Sequence, residues 1–222
     1  MHLLVTAGNT QAPIDRVRCI TNIFTGRTGT SIATRAAGSG HTVALFTSHP
    51  EIVRSERIEV HAYRTFDDLR SLMANHIAGG HFDAVVHCAA VSDYLPAGVF
   101  SADRAIALAT VGKLKSDAPE LWIKLVRAPK LVDMIRDEWN FRGVLVKFKL
   151  EVGAGEQDLL AIAEPSRRQS GADLMVANTL EGMADWAYFG PLAGRYERIT
   201  RPELADRLLE AIEAIHEGRR NG

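Results

Sequence analysis

Arg18, Asn22, Gly26 and Gly29 fall within one short run, "RCITNIFTGRTG". An arginine can grip a carboxylate or phosphate through two parallel hydrogen bonds. An asparagine can donate to a developing oxyanion without adding charge. Glycines let backbone approach an anion, and a helix that follows them aims free N–H groups at it. A Gly-x-x-Gly pair also serves a plain tight turn, and on pattern alone both readings stand.

Four more segments carry residues with chemical potential. In Ala89-Ala-Val-Ser-Asp-Tyr94, Ala89 and Ala90 would let a flat ring lie close to the backbone. Asp93 could hold ribose hydroxyls or a magnesium ion carried in by a nucleotide; the competing reading is a capped turn. In Val111-Gly-Lys-Leu-Lys115, an extended backbone would point Lys113 and Lys115 the same way, towards a polyanion such as a triphosphate. Most surface lysine pairs are merely solvated. In Lys147-Phe-Lys-Leu-Glu151, Phe148 could stack on a base and Lys149 reach phosphates, against a plain core role for Phe148. Asn178, at the end of Asp173-Leu-Met-Val-Ala-Asn178, either caps the next turn or binds a ligand.

The elements that must position these residues alternate. Strands are expected at Leu3–Ala7, Thr42–Phe46, Ile58–Ala62, Phe82–Cys88, Leu121–Val126, Gly143–Leu150 and Asp173–Ala177. The near-continuous apolar run of Phe82–Cys88 suits burial on both faces of a parallel sheet. Helices are expected from Gly26 to Ala37, from Lys130 to Trp139 and around Asp158 to Gln169. Another has Phe66, Leu69, Leu72, Met73 and Ile77 on one face, capped by Thr65 with Asp68 three residues on. A last helix opens on a Thr200-Arg-Pro-Glu203 capping box, with Leu204, Leu208, Ile212 and Ile215 on one face. Tyr188-Phe189 and Arg195 to Ile199 suggest a hairpin. Ser92 to Asp117, broken by Pro96 and Gly98, reads as irregular, and Glu217 to Gly222 as a frayed end.

This pattern predicts an α/β fold: a Rossmann-like three-layer domain over residues 1–222, with a mainly parallel sheet, helices on both faces and a small β-hairpin extension. Ligands of such sheets bind beyond the carboxyl ends of the strands, where the candidate loops lie.

Composition removes several function classes. The net charge of −1 argues against broad attraction to nucleic acid or an anionic membrane. Cys19 and Cys88 form no Cys-x-x-Cys pair, and the eight histidines form no metal-ligand spacing, so no protein-only metal site is expected. The opening "MHLLVTAGNT" has no signal-peptide pattern, and no apolar stretch reaches the roughly 20 residues of a membrane span. A cytoplasmic chain with reduced thiols is expected.

Taken in order, "VTAGNTQAPIDRVRCITNIFTGRTG", "CAAVSDYLP", "GKLKS", "LVRAPKLVD", "KFKLE" and "DLMVAN" resemble the phosphopantothenate–cysteine ligase family over nearly the whole chain. In many bacteria this ligase is fused behind a flavin-dependent decarboxylase. The resemblance here starts at the ligase strand, which implies a stand-alone ligase without flavin. It further implies phosphopantothenate, cysteine and a nucleoside triphosphate as substrates, Mg²⁺ on the nucleotide, and a homodimer. By similarity, Asn22 binds the acyl-nucleotide and helps convert it, with Arg18 supporting the same region. Ala89, Ala90 and Asp93 hold the nucleotide, Lys113 serves in forming the acyl-nucleotide, and Pro129, Lys130, Leu131, Val132 and Phe148 are further nucleotide positions. Two features depart from the family's CTP-using fused members. A basic loop is replaced by Ser166-Arg-Arg-Gln-Ser170, where Arg167 and Arg168 stand in place of lysines, and "FKLE" replaces a small-residue run. The choice between CTP and ATP stays open, with Lys149 a candidate for triphosphate binding. Lys130 stands where an acid is common.

Two rivals from other classes have less behind them. An NAD(P)-dependent oxidoreductase would want a Tyr-x-x-x-Lys pair, and none of Tyr63, Tyr94, Tyr188 and Tyr196 has a lysine four residues on. The loop after the first strand also lacks a Gly-x-Gly-x-x-Gly fingerprint. A non-catalytic nucleotide-binding module would not need Asn22, Asp93 and Lys113 together.

Overall fold

The structure is a computed structural model describing residues 1–101, 104–106, 112–115 and 118–221. Residues 102–103, 107–111 and 116–117 of the segment from Ser92 to Asp117, and Gly222 of the chain end, lie outside the described residues. In chain order the elements are β1 His2–Ala7, β2 Gln11–Pro13, β3 Cys19–Thr21, α1 Arg27–Gly38, β4 Thr42–Thr47, β5 Ile58–Ala62, α2 Phe66–Gly79, β6 Ala84–His87, β7 Tyr94–Ser101, β8 Arg104–Ile106, β9 Trp122–Arg127, α3 Leu131–Asp137, β10 Val144–Glu151, α4 Glu156–Gln169, β11 Leu174–Thr179, β12 Trp186–Leu192, β13 Arg195–Thr200 and α5 Leu204–Arg220.

One sheet runs in the order β13-β12-β11-β10-β6-β1-β4-β5. It is parallel from β11 through β5, and β12 and β13 extend it antiparallel at one edge. Alternate residues of each strand face opposite layers. Leu3, Val5, Leu45, Val86, Val146 and Val176 join Ile32 of α1 and Leu208 and Ile212 of α5 in one core. Leu4, Phe46, Val85 and Leu145 join Phe66, Leu69 and Met73 of α2 and Leu131 and Ile135 of α3 in the other. Helix α4 covers Met175 and Ala177 through Leu159 and Ala163. Helices on both faces explain why the central strands are apolar throughout. Among the described residues no helix is long and apolar enough to cross a membrane.

Three expectations need correction. The first part of the stretch from Ser92 is not irregular: Tyr94–Ser101 and Arg104–Ile106 are strands, and with β9 they form a separate antiparallel sheet in the order β8-β7-β9, while 112–115 belongs to no strand or helix. Pro96 and Gly98, which read as breakers, sit where the β7–β9 register shifts, and a bulge tolerates a residue without a ladder N–H. The strand at 121–126 therefore belongs to this small sheet, not the main one, and every residue of β9 is exposed. The chain end is helical to Arg220, and Arg219 pairs there with Asp173. The capping box at Thr65 and Asp68 forms in full, whereas that at Thr200 forms by half. Glu203 accepts from the Thr200 N–H, but the Thr200 hydroxyl also donates to Glu203 instead of capping the helix.

Candidate active site

The sheet changes direction between β1 and β6, since β4 and β5 lie to one side and β10 and β11 to the other. Loops leaving the two central strands diverge there and open a crevice. Side chains bridge it in series. The Asn9 N–H donates to Ser48 Oγ at 2.9 Å, and the Ser48 hydroxyl donates to Asn9 Oδ1 at 3.0 Å. Asn9 Nδ2 donates to the Asn22 carbonyl at 2.5 Å, and Asn22 Nδ2 donates to the Ala90 carbonyl at 3.0 Å. The Ser92 N–H donates to Thr10 Oγ1 at 2.8 Å. Asn22, Ala89 and Ala90, distant in sequence, are thus brought together, all half-buried.

The two glycines at the start of α1 have a packing reason. Gly26 has φ 81°, and a Cβ there would lie 2.4 Å from Gly8 N; at Gly29 a Cβ would lie 2.7 Å from Ala7 Cβ. Their smallness seats the helix on the end of β1. The Gly29 amide meets the Cys88 thiol, whose pKa burial pushes up to about 12. Arg201 donates to Thr28 Oγ1 beside them.

Asp93 and Lys130 form an ion pair at 2.5 Å, both substantially exposed. This partner accounts for a lysine at position 130 and joins the loop after β6 to the start of α3. Pro129 is exposed, while the Leu131 and Val132 side chains are in the core, so only their backbone faces outward. Phe148 and Lys149 face opposite ways. Phe148 packs against the core under α1 and α5, on the same face as Asn178, which lies within β11. Lys149 pairs with Glu151 at 2.8 Å.

Beneath Lys149, Lys147 is buried and donates to the Ser166 carbonyl at 2.8 Å, with Asp133 Oδ1 at 4.0 Å. Burial holds its pKa below the usual lysine value, and Asp133 works against that shift. Its neighbour His87 shares a hydrogen bond with Thr6 Oγ1 at 3.0 Å. Burial, then the Lys147 charge, depress the His87 pKa to about 4, so the ring is neutral.

Lys113 is exposed on a short segment and reaches the rest of the site through its neighbour Leu114. Arg18 Nη2 donates to the Leu114 carbonyl at 2.6 Å. Arg18 thus holds backbone next to Lys113. Arg167 and Arg168 are not on a loop: they end α4, at the end of the sheet opposite the crevice. Both bind Glu164, and Arg167 also donates to the Ala172 carbonyl just before β11. Sequence reasoning missed Asn9, Thr10, Asp15, Ser48 and Ser92. Small polar residues just after strands are their common signal, but many loops carry that signal. Among the described residues no group of three or more His, Cys, Asp or Glu could hold a metal ion.

Residues 1–214 match the family described as DNA/pantothenate metabolism flavoprotein C-terminal domain. The coenzyme A biosynthesis bifunctional protein CoaBC of Thermococcus kodakarensis is 36% identical over 221 residues, covering 96% of this chain and 51% of that protein. The protein of the same name from Mycobacterium bovis is 31% identical, covering 82% of this chain and 43% of its own length. The chain spans about half the length of these curated relatives. A crystal structure of the DNA/pantothenate metabolism flavoprotein from Streptococcus pneumoniae superposes with a TM-score of 0.83 at 29% identity, covering 97% of this chain and 100% of that one.

Proposed function

Because the chain belongs to the DNA/pantothenate metabolism flavoprotein C-terminal domain family, we propose that it is a ligase of coenzyme A biosynthesis joining 4′-phosphopantothenate to L-cysteine. The carboxylate of phosphopantothenate attacks the α-phosphate of a nucleoside triphosphate, and pyrophosphate leaves. The amine of cysteine then attacks the acyl-nucleotide carbonyl, and the nucleoside monophosphate leaves. Both steps need positioning and charge neutralisation more than a protein nucleophile.

The observation that carries this reading is the Asn22–Ala90 hydrogen bond, which puts a neutral amide donor at the switch point beside the 89–93 loop. In this reading Asn22 manages the acyl-nucleotide, Lys113 neutralises charge as it forms, and Ala89, Ala90 and Asp93 hold the Mg²⁺-nucleotide. Pro129 to Val132 and Phe148 complete the nucleotide contacts, and the amides around Gly26 and Gly29, with Asn178, meet the acid substrate. Lys149 is the candidate cation for the triphosphate, since Arg167 and Arg168 lie at the far end of the sheet. A homodimer fits the exposed Trp122, Ile123, Leu125 and Val126 of β9, an apolar edge of a kind that marks interfaces. Light scattering at working concentration measures it, and a monomer mass refutes it.

The deciding experiment measures pyrophosphate release with phosphopantothenate and cysteine, supplying CTP or ATP. Release that depends on phosphopantothenate is expected. Saturable nucleotide binding without release makes the chain a binding module instead. The ratio of rates with the two nucleotides settles which is used.

A further inference from the structure

We propose that Asp15 is a positioning residue for Lys113: its carboxylate, together with Arg18, grips Leu114 by both backbone polar groups and so sets where the adjacent lysine stands. The inference rests on the ligase reading for what Lys113 does, but not for the grip itself.

Asp15 sits at the tip of the β2–β3 hairpin, where the Ile14 N–H closes a tight turn onto the Arg18 carbonyl at 2.8 Å. Its side chain is 0% exposed, and both oxygens are occupied. Oδ1 accepts from the N–H groups of Val17 at 2.8 Å and Arg18 at 2.6 Å. Oδ2 accepts from the Leu114 N–H at 3.0 Å and lies 3.4 Å from Arg18 Nε. Arg18 Nη2 closes the other side on the Leu114 carbonyl at 2.6 Å. One residue is therefore held by its donor and its acceptor at once, and its side chain is itself buried. Lys113 and Lys115 on either side are exposed.

A role confined to the local turn would need Oδ1 alone. Oδ2 instead serves a residue 99 positions away. The bond from Leu114 is also the largest influence holding the Asp15 carboxyl below its usual pKa, so the charged form is the one that grips. The hairpin that carries this clamp at its tip leads directly into Asn22 at its base. One hairpin thus bears on both residues assigned to the two half-reactions, and small misplacements of such groups are costly.

Asp15→Asn separates the two roles. The amide oxygen still closes the turn, but its NH₂ faces the Leu114 N–H, donor against donor. Pyrophosphate release without cysteine is expected to fall by roughly ten- to a hundredfold. In a Lys113→Gln background the same substitution is expected to change the residual rate by less than about twofold, as for groups acting through one another. Independently of activity, trypsin should cut after Lys113 and Lys115 faster in Asp15→Asn, relative to cutting after the exposed Arg57. Arg18→Lys, at an exposed side chain, should show the same pattern more weakly and carries the test if Asp15→Asn does not fold. Equal losses in both backgrounds, or unchanged relative cleavage, overturn the proposal. Faster cleavage in a protein that releases no pyrophosphate even as wild type supports the clamp and removes the ligase reading.

Discussion

Asn22 Nδ2 donates to the carbonyl of Ala90 at 3.0 Å, across 68 positions of sequence. The bond joins the residue that follows β3 to the loop after β6, and the Asn22 backbone carbonyl accepts in turn from Asn9. Asn22 is thus held by its side-chain amide and by its backbone.

Asn22→Asp replaces this donor with an acceptor facing a carbonyl oxygen. Acyl-nucleotide should still form but pass slowly to cysteine, with turnover down by about 10²- to 10³-fold, the range for loss of one oxyanion donor. Rapid-quench chromatography of the acyl-nucleotide checks this. Normal turnover removes Asn22 from the mechanism.

The Asp93–Lys130 pair is exposed on both sides, so it is worth about 0.2–1 kcal/mol to stability. In the ligase reading Lys130 is itself one of the nucleotide contacts. Lys130→Gln should therefore leave the Tm nearly unchanged and raise the nucleotide KM by roughly a few-fold. An unchanged or lowered KM would remove Lys130 from nucleotide binding and leave it as a partner of Asp93 alone.

Gly29→Ala puts a Cβ 2.7 Å from Ala7 Cβ and 3.1 Å from the Thr6 carbonyl oxygen. Overpacking of this kind costs about 1–3 kcal/mol. Thermal unfolding should show a lower Tm, by roughly 2–4 °C per kcal/mol for a chain of this size. Gly38→Ala is the control: nothing lies within 4 Å of its added Cβ, and no fall is expected. An unchanged Tm for Gly29→Ala would sink the close-packing account.

His87 makes stability depend on pH. Its pKa is depressed to about 4 in the fold, against 6.5 ordinarily, by burial and then by Lys147. Between these values the unfolded chain binds a proton that the folded chain refuses, so stability falls as pH drops from 6.5 towards 4. The loss from this group is on the order of 3 kcal/mol. His87→Gln can keep the bond to Thr6 without titrating, so urea unfolding at pH 7, 5.5 and 4.5 should show a shallower decline. Parallel declines in the two proteins would contradict a neutral buried ring.

The periodic apolar runs determined the large elements. Leu3–Ala7, Thr42–Phe46, Phe82–Cys88 and Gly143–Leu150 can be buried on both sides only inside a covered parallel sheet, and each is a strand of it. The Thr65–Asp68 cap was legible for a similar reason, because both partners are local. The order of motifs was enough for a family resemblance, and the family is confirmed.

Of the small sheet only β9 was legible, as the expected strand Leu121–Val126. β7 carries Pro96 and Gly98 and buries two consecutive residues, Gly98 and Val99, so it offers no alternation to read. Residue type likewise made Arg18 a candidate anion grip, and the family resemblance matched 166–170 to a basic loop although the pattern reads as the end of a helix, which it is. Only the tertiary structure turned Arg18 onto Leu114 and gave Lys130 to Asp93, whereas the pairs of Arg167 and Arg168 with Glu164 are local to α4. The physical reason is range. Helix and strand patterns come from neighbours a few residues apart, so sequence records them. The partner of a charged side chain is whichever group the chain brings within hydrogen-bond reach, and here that group is often tens of residues away.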